Sequence, residues 1–485
     1  MQGATHGIDS LAPRAAPELG MAALDRTRPW LYGVAMASVL TIGVVFRTIR
    51  YWYRPISLWL DEAWWARHLV EKPLTEQVFR PIGYMALSRM LAGISRTEQS
   101  LRLLSWLCGI GSLFVALYLG SRLFRARLTR LLFVFAVAFQ PLLIDMAREF
   151  KPYSLEFCLH LSLLAMYLRW RETLRQRWFW ALLASLSLSF VLAYNVVFAL
   201  PGPFVLLALE LWQRQKFRPL AALVASAVLA LALMLGLYVT VIRKQVDMGE
   251  AAESWAKKYN VFYVSSEFRA KGATVGDSRL TWLRRRYFET AAFPGIERRY
   301  WKAPPDWPEA RRELLSRVDS AGWFLLHVMG LFVLLYQRRF RVLTLFAAPL
   351  VVAMAFNLVG YWPLGEFRGN TFLLAYLIAI PMFALDGLLA SLLPLRIAGT
   401  LLGSALILLP NMTIGRNDHR RKYALVGNFE INPLLRRLNS MYDRIPQSQR
   451  HEKVTVLLDN YTCWVVMFYP GHMDGFKERF EESSK

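Results

Sequence analysis

Two adjacent carboxylates, Asp61 and Glu62, stand in a tryptophan-rich apolar stretch that follows the first long hydrophobic segment of the chain. Ionised carboxylates are costly among apolar side chains, because burial disfavours the charged form. Their position therefore indicates a carboxylate with a purpose, such as a general base that takes a proton from a hydroxyl group. A structural role is the alternative, since carboxylates often open helices and Arg67 offers an ion-pair partner.

Cationic residues recur in three other polar segments, which also follow or precede apolar runs. They are Arg80 before Pro81, the segment with Asp145, Arg148, Glu149, Lys151 and Tyr153, and Arg368 in a glycine-flanked loop. Ionisable groups near a bilayer usually mark a functional site. One carboxylate with several cations suits displacement of a phosphate, because the cations stabilise the leaving group and the carboxylate activates the attacking hydroxyl. Alternatively, Arg148 and Lys151 pair with Asp145 and Glu149 or anchor the chain at the interface.

The composition indicates an all-α polytopic membrane protein. The 485-residue chain is 55% hydrophobic with a formal net charge of +23, and apolar runs of spanning length recur along it. Arginines and lysines cluster between the runs, as expected for cytoplasmic loops. There is no nucleic-acid-binding module, and the three cysteines do not make a disulfide framework.

About eleven spans fit the pattern if the N-terminus is inside. The predicted spans are 30–46, 103–120, 131–144, 153–168, a hairpin within 178–212 that turns near Tyr194 and Asn195, 220–242, 321–336, 342–359, 372–389 and 397–409. A short interfacial helix is predicted from Pro81 to Ile94. All four polar segments then fall on the outer side. Glu156 and His160, one helical turn apart, are predicted to be a buried polar pair with a packing role.

The chain divides into three predicted regions. Residues 1–29 form a cytoplasmic leader that is retained, and 30–410 form the transmembrane module with an acidic first outer loop (47–100) and a long outer loop (243–319). Residues 411–485 form a small extracytoplasmic α/β segment, with a helix around Ile431–Tyr442 and a strand at Val454–Leu458.

Four segments in the same order resemble those of GT-C type membrane glycosyltransferases, most of all the bacterial protein O-mannosyltransferases and the lipid A aminoarabinose transferase. Ser57 to Ala63 resembles the acidic first-loop motif, and Arg80 to Tyr84 is similar to the basic-Pro-Pro-Leu-Tyr segment. Ala147 to Leu155 resembles the Gln-Glu-Ala-Arg-Pro-Tyr-Ala-Leu segment, and Tyr361 to Arg368 resembles a Tyr-Pro-Phe-Gly-Arg-Arg-like loop. This chain departs from the pattern at Ile82, where the second proline is expected, and at Glu366, where a basic residue is common.

The resemblance implies an inverting transferase that moves a sugar from a polyprenyl-phosphate donor to an unknown glycan, lipid or protein acceptor. Asp61 would be the catalytic base, and Glu62 would position it or the acceptor. The lipid phosphate and sugar would be bound by Arg80, Arg148, Lys151, Tyr153 and Arg368. No cofactor and no metal are implied. The implied location is a bacterial inner membrane with a periplasmic active site, and the endoplasmic reticulum is the alternative.

Two other functions remain open from the sequence. A flippase or transporter of lipid-linked sugars is expected to carry mid-span charges on broken helices and a two-fold internal repeat, and neither is seen. The other is a structural subunit of an envelope complex with a degenerate site, although Asp61 and the basic outer loops are intact.

Overall fold

The computed structural model describes residues 29–52, 58, 60–76, 80–95, 97–244, 278–294, 309–359, 362–365 and 368–389, and single positions 397, 401, 403, 405, 440 and 444. Nearly all of the predicted leader, the last span and the α/β tail, and most of the long outer loop, lie outside these residues. Those four predictions stay predictions.

Helices are the only regular secondary structure in the part of the chain that is described. They are α1 (Pro29–Trp52), α2 (Leu60–Glu71), α3 (Ile82–Ile94), α4 (Glu98–Leu123), α5 (Arg127–Phe139), α6 (Pro141–Met146), α7 (Tyr153–Thr173), α8 (Gln176–Leu192), α9 (Pro201–Gln213), α10 (Phe217–Leu237), α11 (Arg279–Ala291), α12 (Glu309–Tyr336), α13 (Phe340–Leu358), α14 (Leu374–Leu377) and α15 (Ala379–Leu389). Short 3₁₀ helices lie at Leu74–Glu76, Tyr194–Phe198 and Arg368–Leu373, and a π-helical turn, Tyr238–Ile242, extends α10.

Among the described residues, six helical segments are long and apolar enough to cross a membrane. They are Pro29–Ile49, Glu98–Leu123, Phe217–Ile242, Arg317–Tyr336, Phe340–Leu358 and Gly369–Leu389. The chain is thus an all-α polytopic membrane protein, as predicted. Every predicted span up to Leu389 coincides with one helix or with two consecutive helices, whereas the total of eleven stays a prediction.

Two predicted spans differ in detail from the helices. The span predicted at 131–144 is broken at Gln140 into α5 and α6, because Pro141 has no N–H to continue the helix. The span predicted from Ala321 belongs to the longer helix α12, which begins at Glu309. Part of the predicted long outer loop is therefore helical, since it contains α11 and the first turns of α12.

Glu210 shows how the helices around 178–212 are arranged. Its carboxylate lies 2.7 Å from Arg214, 3.5 Å from Arg171 and 3.8 Å from Arg341, so the C-terminal ends of α7 and α9 meet the N-terminal end of α13. The predicted break is confirmed, because α8 ends at Leu192 and the 3₁₀ helix Tyr194–Phe198 precedes α9. The end of the bundle where these arginines and Arg122 lie is called the basic end. The opposite end is called the site end.

Arg47 joins α1 to the broken helix α5. Its buried guanidinium donates to the carbonyls of Ala138 (2.7 Å) and Val137 (3.0 Å), near the C-terminal end of α5. The last carbonyls of a helix have no partner within it, and Pro141 cannot supply the N–H that would reach Val137. The arginine therefore caps α5 across the interface between the two helices.

The helices of the bundle pack closely. Helix α4 packs along α7 in the centre, and α12 packs along α15. Gly330 allows α12 and α15 to approach closely, because a Cβ there would lie 2.0 Å from the carbonyl oxygen of Ile380. Close backbone approach at small residues is a common means of association in membranes, where lipid removes the hydrophobic drive between helices.

Candidate active site

Glu62 fixes the start of α2 to two other parts of the chain. Its side chain is 0% exposed, and Arg102 of α4 donates to both carboxylate oxygens, with Nε–Oε1 3.0 Å and Nη2–Oε2 2.6 Å. The backbone N–H of Phe150 donates to the same Oε1 at 2.5 Å. Such a two-point ion pair with an added N–H satisfies a buried carboxylate. Glu62 therefore holds α2, α4 and the 147–153 segment together.

Asp61 precedes this anchor as the second residue of α2. Its side chain lies outside the described part of the structure. The backbone position is nevertheless set by the contacts of Glu62, so the residue stands at the junction of α2, α4 and the 147–153 segment.

Trp65 brings together two of the predicted phosphate-binding cations. The guanidinium carbon of Arg80 lies 3.5 Å from the centroid of the indole, and Nζ of Lys151 lies 3.9 Å from it. The two cations are therefore separated by at most the sum of these distances. Arg80 also lies 5.0 Å from the ring of Trp64. Arg80 is 1% exposed and Lys151 is 4% exposed. The face of an aromatic ring stabilises a cation that has lost its water.

The 147–153 segment is held mainly through its backbone and through Phe150. The hydroxyl of Ser105 donates to the carbonyl of Lys151 at 2.7 Å, and that hydroxyl lies 3.3 Å from the hydroxyl of Tyr84. The ring of Phe150 is stacked on Tyr84 and meets Trp65 edge-on. The Lys151 ammonium is thus presented by a segment that is packed on both sides.

Arg148 pairs with Asp145, which is the structural alternative to phosphate binding that the sequence left open. Its Nη2 lies 2.6 Å from Oδ1 of Asp145, and its Nε donates to the carbonyl of Ile144 at 3.1 Å. Both side chains are buried. The Arg148 guanidinium is thus held within its own segment, whereas Lys151 lies with Arg80 at the indole of Trp65.

Tyr153 and Arg368 are the first residues of two helices that lie side by side. The 3₁₀ helix Arg368–Leu373 packs against α7 and α6, and Tyr153 opens α7. The Tyr153 ring is half-buried and packs against the main core. The side chain of Arg368 lies outside the described part of the structure, but its backbone is brought to the site end.

A chain of hydrogen bonds holds the loop before Arg368. Trp282 of α11 donates to Oδ1 of Asn357 at 2.8 Å, and Asn357 donates to the carbonyl of Trp362 at 2.8 Å. Trp362 donates to Oδ1 of Asn370 at 2.9 Å, and Asn370 donates to the carbonyl of Gly365 at 3.1 Å. The long outer loop and the Arg368 segment are thereby joined through α13.

Gly365 completes this connection to α11. Its N–H donates to the hydroxyl of Thr290 at 3.1 Å, and its φ of +102° lies in the region that favours glycine. A Cβ there would lie 2.8 Å from a carboxylate oxygen of Glu289 and 3.0 Å from Nη1 of Arg286. Any other residue would therefore disturb the contact between the two loops.

His68 lies one turn beyond Trp64 on α2, in a cationic environment. Burial, followed by the positive charges of Lys72, Arg80 and Arg67, lowers the pKa of His68 to about 4, although Glu71 opposes the shift. The imidazole is therefore neutral at pH 7, and its ring lies 4.6 Å from that of Trp64.

Comparisons with known proteins identify no family. No family profile matches the sequence, and no curated protein matches it significantly. A crystal structure of the Archaeoglobus fulgidus oligosaccharyltransferase, tethered with an acceptor peptide, is similar with a TM-score of 0.47 and 14% identity. The match covers 88% of this chain but 59% of that enzyme, so this chain spans less than two thirds of its length. This similarity does not establish a shared activity.

The sequence reasoning missed the partner of Glu62. Arg102 was not expected at the site, although it stands at the predicted outer end of a span, where the positive-inside pattern does not call for an arginine. An arginine at the outer end of a span therefore indicates an acidic partner inside the protein.

In the described residues, no three His, Cys, Asp or Glu side chains come together as a metal site. Independence of metal and cofactor stays a prediction.

Proposed function

We propose that the chain is an inverting GT-C type glycosyltransferase, which moves a sugar from a polyprenyl-phosphate donor to an acceptor hydroxyl. The observation that carries the proposal is the pair of buried cations, Arg80 and Lys151, at the indole of Trp65. Trp65 follows Asp61 by four residues on α2, so the backbone of the proposed base lies about one helical turn from the residue that contacts both cations. The family resemblance of the surrounding segments supports the same chemistry.

Arg80 and Lys151 bind the phosphate in this proposal. A guanidinium stacked on an aromatic ring keeps its N–H groups in one plane, where they can donate to phosphate oxygens. The ammonium adds a second positive charge. As the glycosidic bond breaks, negative charge grows on the phosphate, and cations already in place stabilise it without reorganisation.

Asp61 is the proposed base. It takes the proton of the acceptor hydroxyl, the oxygen attacks the anomeric carbon, and the bond from that carbon to the phosphate oxygen breaks. The electron pair of that bond leaves with the polyprenyl phosphate, which needs no general acid because it is a stable anion. A single displacement inverts the anomeric centre. Unlike glycoside hydrolysis, it needs one carboxylate rather than two.

Glu62 has a positioning role in this mechanism, because its carboxylate is already bound to Arg102 and Phe150. Arg148, bound to Asp145, supports the segment that carries Lys151. Tyr153 and Arg368 are proposed to complete the phosphate and sugar site from α7 and the neighbouring 3₁₀ helix. The proposed location is a bacterial inner membrane with the site on the periplasmic face, and the acceptor is a glycan, lipid or protein.

The test is sugar transfer from a panel of radiolabelled undecaprenyl-phosphate sugars by membranes that contain wild type or Asp61→Asn. We expect the substitution to bind donor but to lower transfer by about a hundredfold or more, since it removes a general base. Glu71→Gln is the matched control, because Glu71 lies on the same helix in an exposed ion pair with Arg67. Wild-type transfer by Asp61→Asn would refute the base assignment. Movement of labelled lipid across the bilayer without sugar transfer would instead support a flippase.

A further inference from the structure

Three polar side chains meet in the interior of the bundle, near the site but separate from its cations. Glu156 and His160 lie on α7, and Asn195 lies on the 3₁₀ helix between α8 and α9. Their exposed fractions are 6%, 0% and 2%. Asn195 lies beside both of the other side chains. We call these three residues the inner polar cluster.

The inner polar cluster is incompletely hydrogen-bonded. Nδ1 of His160 lies 2.9 Å from the hydroxyl of Tyr376, which replaces the predicted Glu156–His160 pair. In the described part of the chain, Oε2 of Glu156, Nε2 of His160 and both amide atoms of Asn195 make no hydrogen bond of normal geometry. Donors and acceptors are thus both available at one place.

This state is costly if the cluster serves packing alone. A buried polar atom without a partner loses its hydration and gains no hydrogen bond in return, and apolar residues of the same size avoid that cost. Polar groups at membrane depth usually mark a functional site. A ligand with several hydroxyl groups suits the cluster, because each hydroxyl can both donate and accept.

The cluster lies next to the proposed phosphate site along two segments. On α7, Glu156 is in the first turn, five residues after Lys151 and three residues after Tyr153. On the other side, the hydroxyl of Tyr194 lies beside the backbone of Ile82, two residues after Arg80. Two short segments therefore connect the cluster to the residues proposed to hold the phosphate.

We propose that Glu156, His160 and Asn195 form a subsite that binds the hydroxyl groups of the donor sugar. The inference rests on the proposed function, since it takes the lipid phosphate to lie at Arg80 and Lys151. Asn195 and Glu156 supply the direct hydrogen bonds. Tyr376 orients the imidazole of His160, so that Nε2 is presented to the ligand.

The test compares binding of two kinds of lipid to the purified full-length protein. The probes are bare undecaprenyl phosphate and undecaprenyl phosphate that carries mannose, glucose, arabinose or aminoarabinose. We expect wild type to bind at least one glycosylated lipid about tenfold more tightly than the bare lipid. Glu156→Leu and Asn195→Leu are expected to abolish this preference while leaving the affinity for bare lipid unchanged, and Glu156→Gln to retain part of it.

Controls separate the subsite from a structural role. Ser187→Ala removes a buried hydroxyl that is paired with Ser226 at 2.7 Å, so it is expected to lower stability without changing the preference. Asn195→Ser replaces Asn195→Leu if the leucine variant does not fold. We expect it to weaken the preference for glycosylated over bare lipid. Retained preference, or equal loss of both lipids, would overturn the subsite.

The subsite and the proposed function can fail separately. If wild type transfers sugar with dependence on Asp61 but binds bare and glycosylated lipid equally, the function stands and the subsite is overturned. If wild type neither binds nor consumes any lipid of the panel, the proposed function falls and the subsite falls with it.

Discussion

Arg102 donates to both carboxylate oxygens of Glu62 across 40 residues of sequence, and neither side chain reaches the surface. Glu62 follows Asp61 in the sequence, so the proposed role of the pair is to fix the start of the helix that carries the base. Removing one partner would leave the other charge buried without compensation.

Glu62→Gln and Arg102→Gln are therefore expected to destabilise the protein by about 3–5 kcal/mol each, because each leaves one buried charge. The double variant is expected to be less destabilised than the sum of the single variants. Thermal unfolding in detergent measures this, with Glu71→Gln as the surface control. Additive losses would show that the two residues act independently.

The shared indole of Trp65 predicts a common effect on donor affinity. Trp65→Leu is expected to raise the KM for donor about tenfold, because both cations lose their aromatic neighbour, whereas Trp65→Phe retains most of the affinity. Arg80→Gln and Lys151→Gln are expected to raise the KM further and to weaken its dependence on salt. The kinetics are measured on radiolabelled donor. An unchanged KM in Arg80→Gln would place the phosphate elsewhere.

The hydrogen-bond chain through Asn357 predicts coupling to Arg368. Asn357→Leu breaks the contacts to Trp282 and Trp362, so the loop before Arg368 keeps the Gly365–Thr290 contact to α11 but loses the one that runs through Asn357. We expect transfer to fall about tenfold, the range of a positioning hydrogen bond. Combined with Arg368→Gln, the two losses are expected not to add, whereas a merely structural effect would add. Rates of single and double variants decide between these outcomes.

His68 predicts a loss of stability in mild acid. Its folded-state pKa is about 4 through burial and through Lys72, Arg80 and Arg67, against an ordinary value near 6.5. Above pH 6.5 the imidazole is neutral in both states and has no effect on stability. As the pH falls from about 6.5 to 4, the unfolded state binds a proton that the folded state does not, so stability falls.

His68→Phe is expected to remove that part of the acid sensitivity. The measurement is the unfolding temperature of wild type and variant at pH 7.5 and at pH 5. Equal losses in both proteins would show that other groups cause the acid sensitivity.

The sequence predicted the regular parts of the fold because those depend on local pattern. Apolar length and basic clusters placed the helices and the break near Tyr194. Spacing along a helix could not reveal partners from distant segments. His160 was paired with Glu156, four residues away, but its partner is Tyr376, which is 216 residues away.

The same limit applies at the candidate site. The order of the motifs suggested that Asp61, Arg80, Lys151 and Arg368 converge, and the structure brings Arg80 and Lys151 together at Trp65. It could not show that Arg148 pairs with Asp145. Asp145 lies three residues before Arg148, and the turn between α6 and α7 closes that pair.

Arg47 has a consequence for the order in which contacts between the helices form. A buried arginine needs hydrogen-bond acceptors, because its charge is costly to remove from water. The carbonyl that receives it at the shortest distance belongs to Ala138, 91 residues further along the chain. During synthesis, Arg47 is therefore made well before the carbonyls that it binds, and we expect its guanidinium to stay hydrated at the membrane interface until α5 is present. Docking of the end of α1 against α5 is then a late event, completed only once α5 has been made.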